Sequence, residues 1–101
     1  ACDLVAASIR EEGGQATAKA CHAGHMDDVA AMFEWIKEKY GKLDVLVNCG
    51  GTNPYYGKIG ETPETAFDKT IDVNLKGPFY LSSKAVAMMK EAGGGAIVNV
   101  A

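Results

Sequence analysis

The chain has 101 residues, which is enough for one small domain with a modest core. Its hydrophobic fraction of 48% and charged fraction of 23% are typical of a soluble globular protein. The net charge of −3 argues against nucleic acid or an anionic membrane as the main partner. Three irregularly spaced cysteines (Cys2, Cys21 and Cys49) form no disulfide framework and fit a reducing compartment, so a cytoplasmic location is expected.

One short stretch carries side chains of the metal-binding types. It contains Cys21, His22, His25 and Asp27. Because no second ligand pair follows at a spacing typical of zinc sites, the sequence predicts no metal site.

The first half of the chain predicts two helices around one strand. Residues Asp3–Glu12 read as a helix that Gly13 and Gly14 end, and Gln15–Cys21 alternates small and polar residues like a strand. The second helix starts near Asp27 with acidic residues at its N-terminus, where the helix dipole favours negative charge. Its apolar stripe has helical spacing and precedes a stop at Gly41: Val29, Met32, Phe33, Ile36 and Tyr40.

The second half predicts two further strands separated by a long helix. Leu43–Asn48 is a nearly continuous apolar strand, which is typical of a sheet covered by helices. Thr62 and Pro63 read as the N-cap and first residue of a helix that continues, with interruptions, to Ala92. Ala96–Val100 forms the last strand. The alternation predicts an α/β fold with a doubly wound parallel sheet in three layers, α/β/α.

The strand Leu43–Asn48 ends directly in Cys49, Gly50 and Gly51. In open parallel sheets, ligands bind outside the carboxyl ends of the strands, and glycine there lets a ligand approach the backbone. Asn48 adds an amide that can bridge neighbouring strand ends. The alternative is a tight turn whose glycines adopt positive φ.

A proline interrupts the long helix near Asn74. Pro78 has no N–H to donate to the carbonyl of Asn74, and Gly77 weakens the helix further. We therefore predict a kink or local widening here that frees the Asn74 carbonyl. The freed group either has a function or is simply bridged by solvent.

Three ordered motifs carry a resemblance to a known family: "DVLVNCGG", "TIDVNLKGPF" and "GGGAIVNVA". Because of these three motifs, the chain resembles the short-chain dehydrogenase/reductase family of NAD(P)-dependent oxidoreductases with a Rossmann fold. The resemblance implies hydride transfer between NAD or NADP and a small-molecule alcohol or carbonyl substrate. It also implies a dimer or tetramer formed through the helix around residues 70–90. An apolar outer stripe that includes Phe79, Val86 and Met89 is compatible with this, and the alternative for Met89 is a place in the core.

The resemblance also implies site residues. Asn74 matches the catalytic asparagine whose carbonyl holds a water in a proton relay. Asn48, Gly50 and Gly51 match the segment that stabilises the central sheet and lines the cofactor, although Cys49 and Gly50 differ from the usual residues. His22 stands where many relatives carry an aspartate that contacts adenine. It can either contact the adenine or be an ordinary loop histidine.

Several family features are missing from the sequence. No Gly-rich phosphate turn precedes the first helix, and no catalytic serine or Tyr-x-x-x-Lys follows the last strand. We therefore expect residues 1–101 to be the central part of a single NAD(P)-binding Rossmann domain, and we expect this piece alone to be inactive and unstable as a monomer. A catalytically silent nucleotide-binding or scaffolding relative is the alternative.

Overall fold

The computed structural model describes residues 1–101. Two helices precede the first of two short strands, and further helices separate the two strands. In chain order the elements are α1 (Cys2–Glu11), α2 (Met26–Tyr40), β1 (Val45–Asn48), a 3₁₀ turn (Ile59–Glu61), α3 (Glu64–Ile71), a π turn (Asp72–Lys76), α4 (Gly77–Glu91) and β2 (Ala96–Asn99). No helix is both long and apolar enough to cross a membrane.

The glycine stops end the first two helices as predicted. Gly41 follows α2 in the left-handed conformation (φ +78°), and its N–H donates to the carbonyl of Lys37. Gly13, which follows α1 by two residues, has φ +90°. Residues with a Cβ adopt these angles only with strain, which explains why both stops are glycines.

The predicted strand Gln15–Cys21 is wrong: the segment belongs to no strand. A strand needs a neighbour to pair its N–H and C=O groups, and the sheet of this chain contains only β1 and β2. The contacts of the segment come instead from helix side chains. Arg10 Nη1 donates to the carbonyl of Ala16 at 2.7 Å, and Lys39 Nζ donates to Thr17 Oγ1 at 3.0 Å.

The start of the long helix also differs from the prediction by one residue. Pro63, rather than Thr62, is the N-cap of α3, and no side chain caps this end. The predicted break near Asn74 is confirmed. The five residues of the π turn lie between α3 and α4, and the N–H of Gly77 donates to the carbonyl of Asp72 five residues back. A π turn is the local widening that accommodates a missing donor at Pro78.

The two strands form a parallel pair in which Val45, Leu46, Val47 and Asn48 lie opposite Ala96, Ile97, Val98 and Asn99. Since successive side chains of a strand point to opposite faces, Leu46 and Ile97 share one face. Both pack against the core, whose buried members are Val29, Phe33, Ala85 and Met89. The α/β prediction is therefore confirmed, with α2 and α4 covering this face of the sheet.

Met89 corrects the predicted outer stripe of the long helix. Its side chain is 5% exposed and belongs to the core, whereas Phe79 is 64% and Val86 is 40% exposed. Met89 cannot contribute to an outer surface.

The other face of the sheet is open. Val45, Val47 and Val98 are each about half exposed. Uncovered β-branched residues on a parallel sheet are unusual, because such sheets are normally buried on both faces.

Candidate functional site

Asn48 ties together the carboxyl edge of the sheet. It is 8% exposed and is the only buried polar side chain. Its Nδ2 donates to Asn99 Oδ1 on the neighbouring strand at 2.8 Å and to Ser82 Oγ on α4 at 3.2 Å. The backbone N–H of Val100 donates to the carbonyl of Asn48 at 2.9 Å. The predicted amide bridge between strand ends is therefore present, and it extends to the helix.

The glycine exit after β1 is not a tight turn. Neither Gly50 nor Gly51 has a positive φ, which removes the alternative weighed from the sequence. A methyl group on Gly50 would meet no atom within 4 Å, and one on Gly51 would lie 3.6 Å from Asn74 Oδ1. The backbone is thus open at Gly50 and faces Asn74 at Gly51.

Asn74 is held to the same loop by a reciprocal pair of hydrogen bonds. The N–H of Thr52 donates to Asn74 Oδ1 at 2.8 Å, and Asn74 Nδ2 donates to the carbonyl of Thr52 at 2.8 Å. This amide clamp uses both ends of the Asn74 side chain. It fixes the π turn against the loop that leaves β1, while the Asn74 carbonyl lies four residues before Pro78, which has no N–H to offer it.

Three of the predicted site residues line one cavity. The cavity has a volume of about 610 Å³ and lies between the carboxyl edge of the sheet and α4. Asn48, Gly50 and Asn74 line it on the polar side, together with Ser82 and Asn99. The apolar lining consists of Leu75, Pro78, Phe79, Val86 and Val100. Its size and mixed lining are typical of small-molecule and cofactor sites.

His22 is not among the residues lining this cavity. It lines a second cavity, without hydrophobic residues, together with His25, Asp68, Lys69 and Asp72, and a third one together with Cys21 and Asp28. The two imidazoles are stacked, with ring centroids 3.9 Å apart, and His22 Nδ1 accepts a hydrogen bond from the N–H of Gly24 at 3.1 Å. No group of three or more His, Cys, Asp or Glu side chains is arranged to hold a metal.

Cys21, next to His22, is the one ionisable group whose environment clearly shifts its pKa. Burial raises the pKa of the Cys21 thiol, the carboxylate of Asp28 raises it further, and Lys19 opposes the shift. Since the folded state holds the proton more tightly, this thiol stabilises the fold below its usual pKa. That contribution is lost as the pH rises through the raised value.

We therefore expect Cys21 to react slowly with iodoacetamide in the folded protein at about pH 8, since thiolate is the nucleophile. In the complete gene product with every cysteine except Cys21 replaced by serine, the alkylation rate should reach half of its plateau at a higher pH in the folded protein than in urea. Comparing pH midpoints removes the effect of access. The Asp28→Asn variant keeps an oxygen acceptor and should lower the midpoint. Equal midpoints in the folded and unfolded chains would contradict this assignment.

Three site residues were not predicted from the sequence: Ser82, Thr52 and Asn99, whose Oδ1 accepts a hydrogen bond from Asn48. Ser82 anchors Asn48 across 34 residues, and Thr52 anchors Asn74 across 22 residues. Thr52 contributes only its backbone to the clamp, so its identity carries no signal. The sequence indicates Ser82 only weakly as a site residue, because it lies on the same continuous run of helix as Asn74, eight residues further on.

The parallel strands, the polar carboxyl edge and the amide-lined cavity define an α/β protein of the Rossmann type. A family model for short chain dehydrogenases matches residues 1–101. The chain belongs to this family.

Individual relatives agree with the family model. The chain is 50% identical to an uncharacterized oxidoreductase of Thermotoga maritima, over 91% of this chain and 36% of that protein. It is 33% identical to the human dehydrogenase/reductase SDR family member 4, over 97% of this chain and 35% of that protein. A crystal structure of a metagenomic short-chain oxidoreductase in complex with NADP superposes with a TM-score of 0.90 at 33% identity, over 95% of this chain and 43% of that one. The chain thus spans about a third of the length of the curated relatives it matches.

Proposed function

We propose that this chain supplies the central part of an NAD(P)-dependent oxidoreductase that transfers hydride between a nicotinamide and an alcohol or carbonyl substrate. One observation carries the proposal: Asn48, Gly50 and Asn74 line one cavity at the carboxyl edge of the sheet. Parallel α/β sheets bind their ligands at this edge. Family membership and the NADP complex of a structural relative support the cofactor class.

The residues at this edge fit one side of a dinucleotide. The open space at Gly50 lets a flat or charged group approach the backbone closely. Asn48 has both amide hydrogens engaged within the chain and holds the strand ends in place, so its role is to keep the wall of the site rigid. Asn48, Gly50 and Gly51 would lie against the cofactor. The bound nicotinamide would supply the hydride donor or acceptor.

Asn74 has the role of anchoring a proton relay. Its side chain is held by the clamp to Thr52, which fixes the residue while its backbone carbonyl holds the water. The π turn and Pro78 support this role, because they leave that carbonyl without the usual donor of an α-helix. A water held there would pass a proton to or from the group that protonates the substrate oxygen.

His22 is the weaker of the proposed cofactor contacts. Its ring stacks on His25 outside the cavity of Asn48 and Asn74. It can reach a dinucleotide only if the adenine extends to the loop after Cys21. We retain it as a proposed adenine contact.

We further propose that residues 1–101 are the central part of one Rossmann domain rather than a domain that is stable alone. Only eight of the 101 residues are buried, and one face of the two-stranded sheet is open. A chain that buries so few side chains cannot offset the conformational entropy lost on folding. Further strands and helices of the same domain would cover Val45, Val47 and Val98.

The assembly and location follow the family pattern. We propose a homodimer or homotetramer in the cytoplasm, joined through the helical run around residues 70–90. Phe67 and Ile71 support this, since they are exposed apolar residues one helical turn apart at the start of that run and lie outside the lining of the cavity.

A catalytically silent nucleotide-binding relative is the second candidate. It is favoured by Cys49 and His22, which differ from the residues usual in the family. In such a protein the cavity and the clamp would be kept, but the proton relay would lead to no acid or base.

The experiment uses the complete product of the gene that carries this sequence. Purified protein is incubated with NAD, NADP and a panel of secondary alcohols, and the reduced nicotinamide is followed by its absorbance. The proposal predicts turnover with at least one alcohol. Dinucleotide binding without turnover on any substrate would favour the silent relative, and no binding would contradict both.

A further inference from the structure

The π turn that carries Asn74 is held on two sides. On one side, the amide clamp joins Asn74 to the backbone of Thr52. On the other side, the loop formed by residues 22–25 lies against the two ends of the turn. The clamp is part of the site described above, whereas the loop contact has no assigned role.

The loop contact is made by two glycines. A methyl group on Gly77 would lie 2.8 Å from the carbonyl oxygen of Ala23 and 3.0 Å from its Cβ. A methyl group on Gly24 would lie 3.1 Å from the Cβ of Asp72. Both distances are shorter than ordinary van der Waals contact, so the loop and the turn approach more closely than residues with a Cβ allow.

The contact is also one of the best-shielded places in the chain. Gly24 and Gly77 are two of its eight buried residues. The loop contacts Asp72 and Gly77. The Gly77 N–H donates to the Asp72 carbonyl, and this hydrogen bond closes the π turn. The loop therefore contacts both ends of the same turn, and the turn cannot shift without moving the loop.

We propose that Gly77 is a positioning residue for Asn74, acting through its close contact with Ala23. The effect of Gly77 on catalysis rests on the proposed function, whereas its effect on the position of Asn74 does not. The loop of residues 22–25 and the Thr52 clamp fix the π turn from opposite sides. Together they set where the Asn74 carbonyl points.

The test replaces Gly77 by alanine in the complete gene product. The added methyl group must displace either the loop or the turn, so we expect the Thr52 amide to exchange hydrogen about tenfold faster than in the wild type. Exchange is measured at single-residue resolution. The matched control is Gly60→Ala, since a methyl group on Gly60 meets nothing within 4 Å and its φ is not positive.

A purely structural role predicts a different pattern. It would speed exchange by one common factor at all slowly exchanging amides, and this outcome would overturn the proposal. Unchanged exchange at Thr52 would also overturn it. If Gly77→Ala does not fold, the milder Gly24→Ala variant, with its shortest contact at 3.1 Å, replaces it under the same criteria.

Activity gives an independent readout. Where the complete gene product turns over substrate, Gly77→Ala should lower kcat about a hundredfold and change the pH dependence of kcat, since small misplacements of a catalytic group have effects of this size. Gly60→Ala should change neither. If the protein binds no dinucleotide, the proposed function fails, while the exchange at Thr52 still decides whether Gly77 positions Asn74.

Discussion

Replacing Asn74 by alanine in the complete gene product should lower kcat about a hundredfold, because a misplacement of roughly 1 Å at a catalytic group has this effect. The substitution keeps the backbone carbonyl and removes both hydrogen bonds to Thr52. The carbonyl is then free to move with the π turn. Because Asn74 is exposed, stability should fall by only about 1 kcal/mol per lost bond.

The control is Thr52→Ala, which keeps the backbone N–H and C=O that form the clamp. It should leave kcat within about twofold of the wild type. A substitution that removes no buried contact or hydrogen bond typically changes the free energy of unfolding by about 0.5 kcal/mol or less, and a comparable effect on the activation free energy is a factor of about two. A large loss of kcat in both variants would show that the loop, rather than the clamp, matters. Wild-type kcat in Asn74→Ala would contradict the positioning of the relay by this side chain.

Asn48→Asp should destabilise the complete gene product by about 2–3 kcal/mol. The aspartate has nearly the same shape but, when ionised, only accepts hydrogen bonds. Both donated bonds of Asn48 are lost; the Ser82 hydroxyl can turn and donate to the new carboxylate, whereas Asn99 Oδ1 then faces a carboxylate oxygen. A buried polar group that loses its partner costs about 1–3 kcal/mol, and a buried charge costs more.

The free energy of unfolding is measured in urea at a fixed protein concentration. The matched control is Asn53→Asp, the same chemical change at an exposed loop position, with an expected effect within about 0.5 kcal/mol. Equal effects at both positions would show that the bridge between β1, β2 and α4 contributes nothing to stability.

The sequence predicts those parts of the fold that depend on local chemistry. The first two helices end at glycines whose positive φ is a local requirement, as Gly13 and Gly41 show. The break near Asn74 is likewise predictable, because Pro78 removes a particular donor. The bridging role of Asn48 is predictable from its place at a strand end, whereas its partner Asn99 is known only from the pairing of β1 with β2.

The sequence misleads where the structure of a segment depends on which other segments pack against it. Gln15–Cys21 has the alternation of a strand, yet no strand lies beside it in this chain, so it forms none. Met89 has a helical position that reads equally well as outer or inner surface, and only packing against the sheet places it in the core. The Thr52 clamp and the contact of Gly77 with Ala23 join residues far apart in the chain through backbone atoms, which leave no pattern in the sequence.

The most direct test of the central claim is dinucleotide binding by a Gly50→Val variant. A Cβ at this position meets no protein atom within 4 Å and Gly50 has no positive φ, so attachment of the side chain causes neither a clash nor backbone strain, and circular dichroism checks that the variant folds like the wild type. If the backbone at Gly50 faces the cofactor, the added side chain should weaken NADH or NADPH binding at least about fivefold, as overpacking by 1–3 kcal/mol implies. Gly60→Val serves as the control. Wild-type affinity in Gly50→Val, in a titration of nicotinamide fluorescence, would show that the dinucleotide does not bind at this edge of the sheet.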